Sequence, residues 1–89
     1  MKATLRGSEI KSKEDFHNQI KIILELPDFY GNNLDALWDC LTGWIETPLI
    51  LEWIDFDISE AYLGDYTVKI LNLFENAEKE VEGFVFRCY

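Results

Sequence analysis

No run in the 89-residue sequence is apolar for long enough to cross a membrane. The N-terminus has no signal-peptide core either, because Lys2, Arg6, Glu9, Lys11, Lys13, Glu14 and Asp15 break it up. These absences predict a cytoplasmic protein. Glycine and proline are scarce, with 5 and 2 residues, while 48% of the chain is hydrophobic and 15% aromatic. That balance excludes a disordered or fibrous chain. The length predicts one domain over residues 1–89, enough to bury roughly 60–70% of its unfolded surface. Two cysteines, Cys40 and Cys88, are too few for a disulfide framework. They lack zinc spacing, and only His17 could join them, so no metal or cofactor is expected. Both are expected as buried small hydrophobes. A bond between them stays open, since sequence does not give their separation.

Positive charge is the other shortage. There are 8 basic residues against 17 acidic ones, a net charge of −9. Nucleic-acid binding is disfavoured, because phosphate binding needs a basic face. Between Ile22 and Val68 there is no Lys or Arg at all, yet ten acids fall there: Glu25, Asp28, Asp35, Asp39, Glu46, Glu52, Asp55, Asp57, Glu60 and Asp65. One reading is a solvated surface that keeps the protein soluble. The other is an anionic face built for a basic partner.

What is present reads as alternating strands and helices. Residues 2–6 alternate and stop at Gly7, which predicts a strand. Ser12, three residues before Asp15, starts a helix. Its apolar stripe is Phe16, Ile20, Ile23 and Leu24, and Pro27 stops it. Residues 28–33 (DFYGNN) form a turn-rich loop. Asn33 is placed to cap a helix over about residues 34–41, with Gly43 as its terminator. Residues 49–53 (LILEW) read as a mostly buried strand, of the kind covered on both faces. A short helix follows over 56–63. Asp65 is placed to cap a longer one, with Val68, Leu71 and Phe74 facing inward. Gly83 separates that helix from a last strand over 84–89. The order β-α-α-β-α-α-β predicts an α/β fold, a three-stranded parallel sheet with helices packed on it.

The helix after Asn33 carries two faces. Leu34, Leu37 and Leu41 form a core stripe, with Cys40 beside it. Opposite lie Asp35, Trp38, Asp39 and Thr42, at spacings of three and four. Asp35 suits the helix N-terminus, whereas Asp39 sits toward the end that disfavours a carboxylate. The two acids are also a like-charge i, i+4 pair with no cation nearby. Phe29 and Tyr30 precede this helix, and Trp44 follows it. Acids interleaved with aromatics suit an interface for a cationic partner. The plainer alternative makes Trp38 and Trp44 core residues and the acids a solvated face. Trp53, inside the apolar strand, reads as core. A paired-carboxylate enzyme is disfavoured, because adjacent turns of one helix face place the acids side by side rather than across a substrate. No phosphate loop or nucleophile elbow accompanies them. His17 borders an apolar stripe without an evident partner and reads as structural.

The stretch LPDFYGNNLDALWDCLTGWIETPLILEW, residues 26–53, resembles the barstar family, intracellular inhibitors of secreted bacterial ribonucleases of the barnase type. The core of the match is YGxNLDALWDxLTGW, Tyr30 to Trp44, and the resemblance extends through both flanks to the whole chain. It implies the barstar-like fold and an inhibitor rather than an enzyme. The partner it implies is a basic ribonuclease, bound 1:1 by a protein that is monomeric when free. By position, Asp39 would enter the phosphate-binding site, and Asp35 would accept hydrogen bonds from the enzyme. Phe29 would stack on the catalytic histidine. Tyr30, Gly31, Asn33, Trp38, Thr42, Gly43, Trp44 and Glu46 would complete the contact surface, with Asn76 and Glu80 at the rim. The resemblance also implies a cis Thr47–Pro48 bond. Two positions depart from the family pattern: Phe29 stands where it has Tyr, and Asn76 where it has Glu. These departures leave room for a barstar-like module with a different basic partner.

Overall fold

A computed structural model describes residues 1–89. Strand β1 (Lys2–Arg6) leads through a turn of 3-10 helix (Gly7–Glu9) into α1 (Lys13–Ile23) and α2 (Leu34–Gly43). Strand β2 (Leu49–Ile54) follows, then α3 (Phe56–Leu63), α4 (Asp65–Glu80) and β3 (Phe84–Cys88). The sheet has the order β1-β2-β3, with both pairings parallel. This is the expected three-stranded parallel α/β architecture.

The central strand differs from the expectation in one respect. Its apolar run predicts cover on both faces, but burial alternates residue by residue. Leu49, Leu51 and Trp53 are buried, while Ile50, Glu52 and Ile54 are half-buried. The register places Ala3, Leu51 and Phe86 in one row and Leu5, Trp53 and Cys88 in the next, and all of these but the exposed Cys88 pack on one face of the sheet. The opposite face carries Lys2 and Glu52, which form the one ion pair of the structure at 3.1 Å.

Local signals explain most element ends. The Ser12 hydroxyl accepts the Asp15 N–H at 3.0 Å, and the Asp15 carboxylate accepts the Lys11 N–H at 3.0 Å. This is a reciprocal cap, shifted one residue from the usual box. Phe16, Ile20 and Leu24 then turn into the core as their spacing predicts. The helix ends at Ile23, and Glu25 adopts a left-handed conformation, φ 51°, before Pro27. Helix α2 runs two residues past the predicted 41. Gly43 is its last residue rather than a terminator beyond it, and Trp44 closes it in a right-handed conformation through its N–H to the Cys40 carbonyl.

In α4 the inward stripe includes Phe74 as expected but is otherwise offset. Thr67, Ile70, Phe74 and Ala77 are buried, Leu71 is half-buried and Val68 is 53% exposed. Asp65 is not the cap. Gly64 holds that place, and the Thr67 hydroxyl donates to its carbonyl at 2.6 Å. Cys88 is exposed, contrary to expectation, because β3 leaves the core after Phe86; Cys40 is buried, and both thiols are free.

The core is built on aromatic packing. Phe16 stacks on Trp53 with centroids 5.4 Å apart, and Phe74 lies 4.7 Å from Phe86. Each fully buried phenylalanine among them contributes about 1.5–3 kcal/mol. The Trp53 indole N–H donates to the Ser59 hydroxyl at 3.2 Å, which donates to the Gly7 carbonyl at 2.9 Å. Gly7 is required by close approach: a Cβ there would stand 2.1 Å from the Asp55 carbonyl oxygen. The Thr47–Pro48 bond is cis, as the resemblance implies.

Candidate functional site

The loop before α2 is set by its own polar residues. The Tyr30 N–H bonds the Pro27 carbonyl at 2.9 Å, closing a turn. Asn32 takes a left-handed conformation, φ 54°, which asparagine tolerates better than most residues. Asn33 then caps α2, its Oδ1 accepting the Ala36 N–H at 2.8 Å. Its amide nitrogen reaches back to donate to the Gly31 carbonyl at 3.2 Å. One side chain thus fixes the helix start and the loop together. Gly31 packs closely here, since a Cβ on it would lie 3.3 Å from that same amide.

Phe29 projects from this loop with 83% of its surface exposed, and Trp44, beyond the far end of α2, is 50% exposed. Their rings meet edge to face with centroids 6.4 Å apart. Trp44 is held in place by its indole N–H, which donates to the Glu25 carbonyl at 3.2 Å. An open cavity of about 260 Å³ lies beside them, lined by Phe29, Tyr30, Gly31, Ala36, Asp39 and Cys40. The buried Cys40 thiol has its pKa pushed up, first by burial and then by the neighbouring Asp39 carboxylate.

Asp35 and Asp39 are both exposed, and neither takes part in an ion pair. Trp38 is half-buried between them and packs against the core. The Thr42 hydroxyl turns back to the Trp38 carbonyl at 2.8 Å, within its own helix. Asp35, Trp38, Thr42, Gly43 and Glu46 lie outside the cavity lining. So do Asn76 and Glu80, which stand one turn apart on the exposed side of α4. The cavity brings together Phe29, Tyr30, Gly31 and Asp39 from the expected set.

Tyr30 is unlike its neighbour. It is only 6% exposed, and its hydroxyl bonds His17 Nδ1 at 2.6 Å. The other ring nitrogen of His17, Nε2, bonds the Tyr66 hydroxyl at 2.8 Å. His17, which lacks an evident partner in the sequence, therefore has two. Sequence reasoning missed Tyr66, because nothing in local spacing ties α4 to α1. No group of three or more His, Cys, Asp or Glu side chains is arranged to hold a metal ion. No helix is long and apolar enough to cross a membrane.

A three-stranded parallel sheet carrying four helices places this protein in the barstar-like class of α/β folds. The chain belongs to the barstar family: the family model described as "Barstar (barnase inhibitor)" matches residues 1–89. It is 41% identical over 81 residues to a Bacillus subtilis (strain 168) protein named "Putative ribonuclease inhibitor YrdF". That match covers 91% of this chain and 89% of the relative.

Proposed function

We propose that this protein is a stoichiometric inhibitor of a barnase-type extracellular ribonuclease, bound 1:1. Family membership and the relative's name support an inhibitor of ribonucleases rather than an enzyme. The observation that carries the mechanism is the exposed pair Asp35 and Asp39, free of any cation of its own, beside the exposed rings of Phe29 and Trp44. A ribonuclease site is cationic because it binds RNA phosphates. Asp39, at the wall of the cavity, stands in for one of those phosphates and is the leading anion. Asp35 accepts further hydrogen bonds from the enzyme. Phe29 offers an unobstructed face to a ring of the partner, and the cavity behind it receives a protruding side chain. Gly31, Asn33, Trp38, Thr42, Gly43, Trp44 and Glu46 complete the surface, with Asn76 and Glu80 at its rim.

The carboxylates are exposed and unpaired. Binding therefore breaks no internal ion pair, and the new hydrogen bonds are charge-assisted. Titration of the protein into a barnase-type ribonuclease, following RNA cleavage, tests the proposal. Cleavage is expected to fall linearly and to end at one equivalent.

A second reading is favoured by Phe29 and Asn76, which depart from the family pattern at contact positions. It makes the chain a barstar-like module for another basic protein. Full ribonuclease activity in the presence of excess folded protein would favour it.

A further inference from the structure

His17 is 2% exposed and sits between two tyrosines. Tyr30 comes from the loop before α2, and Tyr66 comes from the first turn of α4. The rings are packed as well as bonded, with His17–Tyr30 centroids 5.8 Å apart and His17–Tyr66 centroids 6.2 Å apart. Burial lowers the pKa of His17, so the imidazole is neutral near pH 7. A neutral imidazole has one N–H and one bare nitrogen. One tyrosine must donate to it and the other must accept from it.

Burial decides which. Tyr30 has no other partner for its hydroxyl hydrogen and almost no exposure to water. An accepting Tyr30 would bury that hydrogen unpaired, at substantial cost. Tyr66 is only half-buried and can turn its own hydrogen toward solvent. The consistent arrangement has the Tyr30 O–H donating to Nδ1 and the Nε2–H donating to the Tyr66 oxygen. Lys13 Nζ lies 4.7 Å from the Tyr66 ring centroid and is the charged neighbour on the α1 side.

We propose that Tyr66 is a positioning residue for the binding loop. By accepting the Nε2–H of His17, it fixes the imidazole tautomer that receives the Tyr30 hydroxyl. Tyr30 in turn anchors the backbone between Phe29 and Gly31, which line the cavity with it. Tyr66 lies outside the cavity lining. It acts through His17 on a loop contributed by a different part of the chain. This inference rests on the inhibitor reading for its binding consequence and on the hydrogen-bond geometry and burial of His17, Tyr30 and Tyr66 for the tautomer.

The test compares wild type, Tyr66→Phe, Tyr30→Phe and the double variant. Affinity for a barnase-type ribonuclease is measured by calorimetry, and the His17 ring nitrogens are observed by NMR in the free proteins near neutral pH. Wild type is expected to show a protonated Nε2 and a bare Nδ1, and Tyr66→Phe a shift away from that pattern. Tyr66→Phe is expected to weaken binding about threefold to tenfold, the range of one neutral hydrogen bond. The double variant should lose little beyond Tyr30→Phe, because both act through one relay. A protonated Nδ1 in wild type, unchanged affinity in Tyr66→Phe, or losses that multiply would each overturn the proposal. Absence of binding by the wild type would overturn the inhibitor reading and the loop-positioning role together. The tautomer pattern would then still report whether the relay exists.

Discussion

Phe29 and Trp44 flank helix α2 from opposite ends of the sequence segment, yet their rings meet edge to face at 6.4 Å, largely in solvent. Two exposed aromatics in contact raise the stability of the fold little and offer much to a partner. Phe29→Ala is therefore expected to leave the thermal midpoint within about one degree and to weaken ribonuclease binding by about 1.5–3 kcal/mol, the value of burying one phenylalanine. Calorimetric binding beside a thermal melt checks both halves.

Asn33 separates local stability from binding. Asn33→Ala removes the cap of α2 and the bond to the Gly31 carbonyl in one step. The loss is expected at about 1–2 kcal/mol in urea denaturation. Asn33→Asp keeps the cap oxygen and drops the amide donor, so it should recover most of the stability. Equal losses in the two variants would show that the cap contributes nothing here.

The chain from Trp53 through Ser59 to Gly7 is buried and fully paired. Ser59→Ala strands the indole N–H, while the Gly7 carbonyl keeps the Ile10 N–H, at a cost of about 1–3 kcal/mol. Gly7→Ala is expected to be worse, because its Cβ would collide with the Asp55 backbone rather than with a flexible side chain. Urea midpoints of the two variants should fall in that order.

Stability should also depend on pH through His17. Its folded pKa lies below the ordinary 6.5 because the charged ring is desolvated. The unfolded chain therefore binds the proton first as pH falls. The contribution is complete above about pH 6.5 and is lost as pH drops toward the folded value. The urea midpoint is expected to decline from pH 7 toward pH 5, in step with the His17 imidazole NMR titration. A flat midpoint across that window would contradict this.

Much of this structure was legible beforehand, and the failures have a common origin. The α1 stripe of Phe16, Ile20 and Leu24 and the cap at Asn33 follow from local spacing, and both are present as read. In α4, Phe74 is buried as read, but the buried positions before it, Thr67 and Ile70, lie one residue earlier than Val68 and Leu71, because Val68 is apolar and Thr67 is not. The buried Thr67 satisfies its hydroxyl on the Gly64 carbonyl, a bond that hydrophobic periodicity does not weigh. The alternation of β2 was hidden because Ile50 and Ile54 are apolar on the thinly covered face. Phe29, Asp35, Asp39 and Trp44 were readable as an acidic and aromatic surface from composition and helical spacing. The joining of His17 to Tyr66, 49 residues away, was not, since only the tertiary fold brings α1 and α4 together.

The anionic face also predicts a rate. Association with a basic ribonuclease should slow markedly as salt rises, because unpaired surface carboxylates steer the encounter over roughly a Debye length. Stopped-flow association rates across ionic strength provide the check, and a rate independent of salt would argue against steering.

The most direct measurement is the inhibition titration of a barnase-type ribonuclease by wild type and Asp39→Ala in parallel. Inhibition ending at one equivalent for wild type is expected, with a loss of about 3–5 kcal/mol in the variant, as when one partner of a buried charge pair is removed. A wild type that leaves the enzyme active, or an Asp39→Ala variant that inhibits equally well, would contradict the role assigned to this carboxylate.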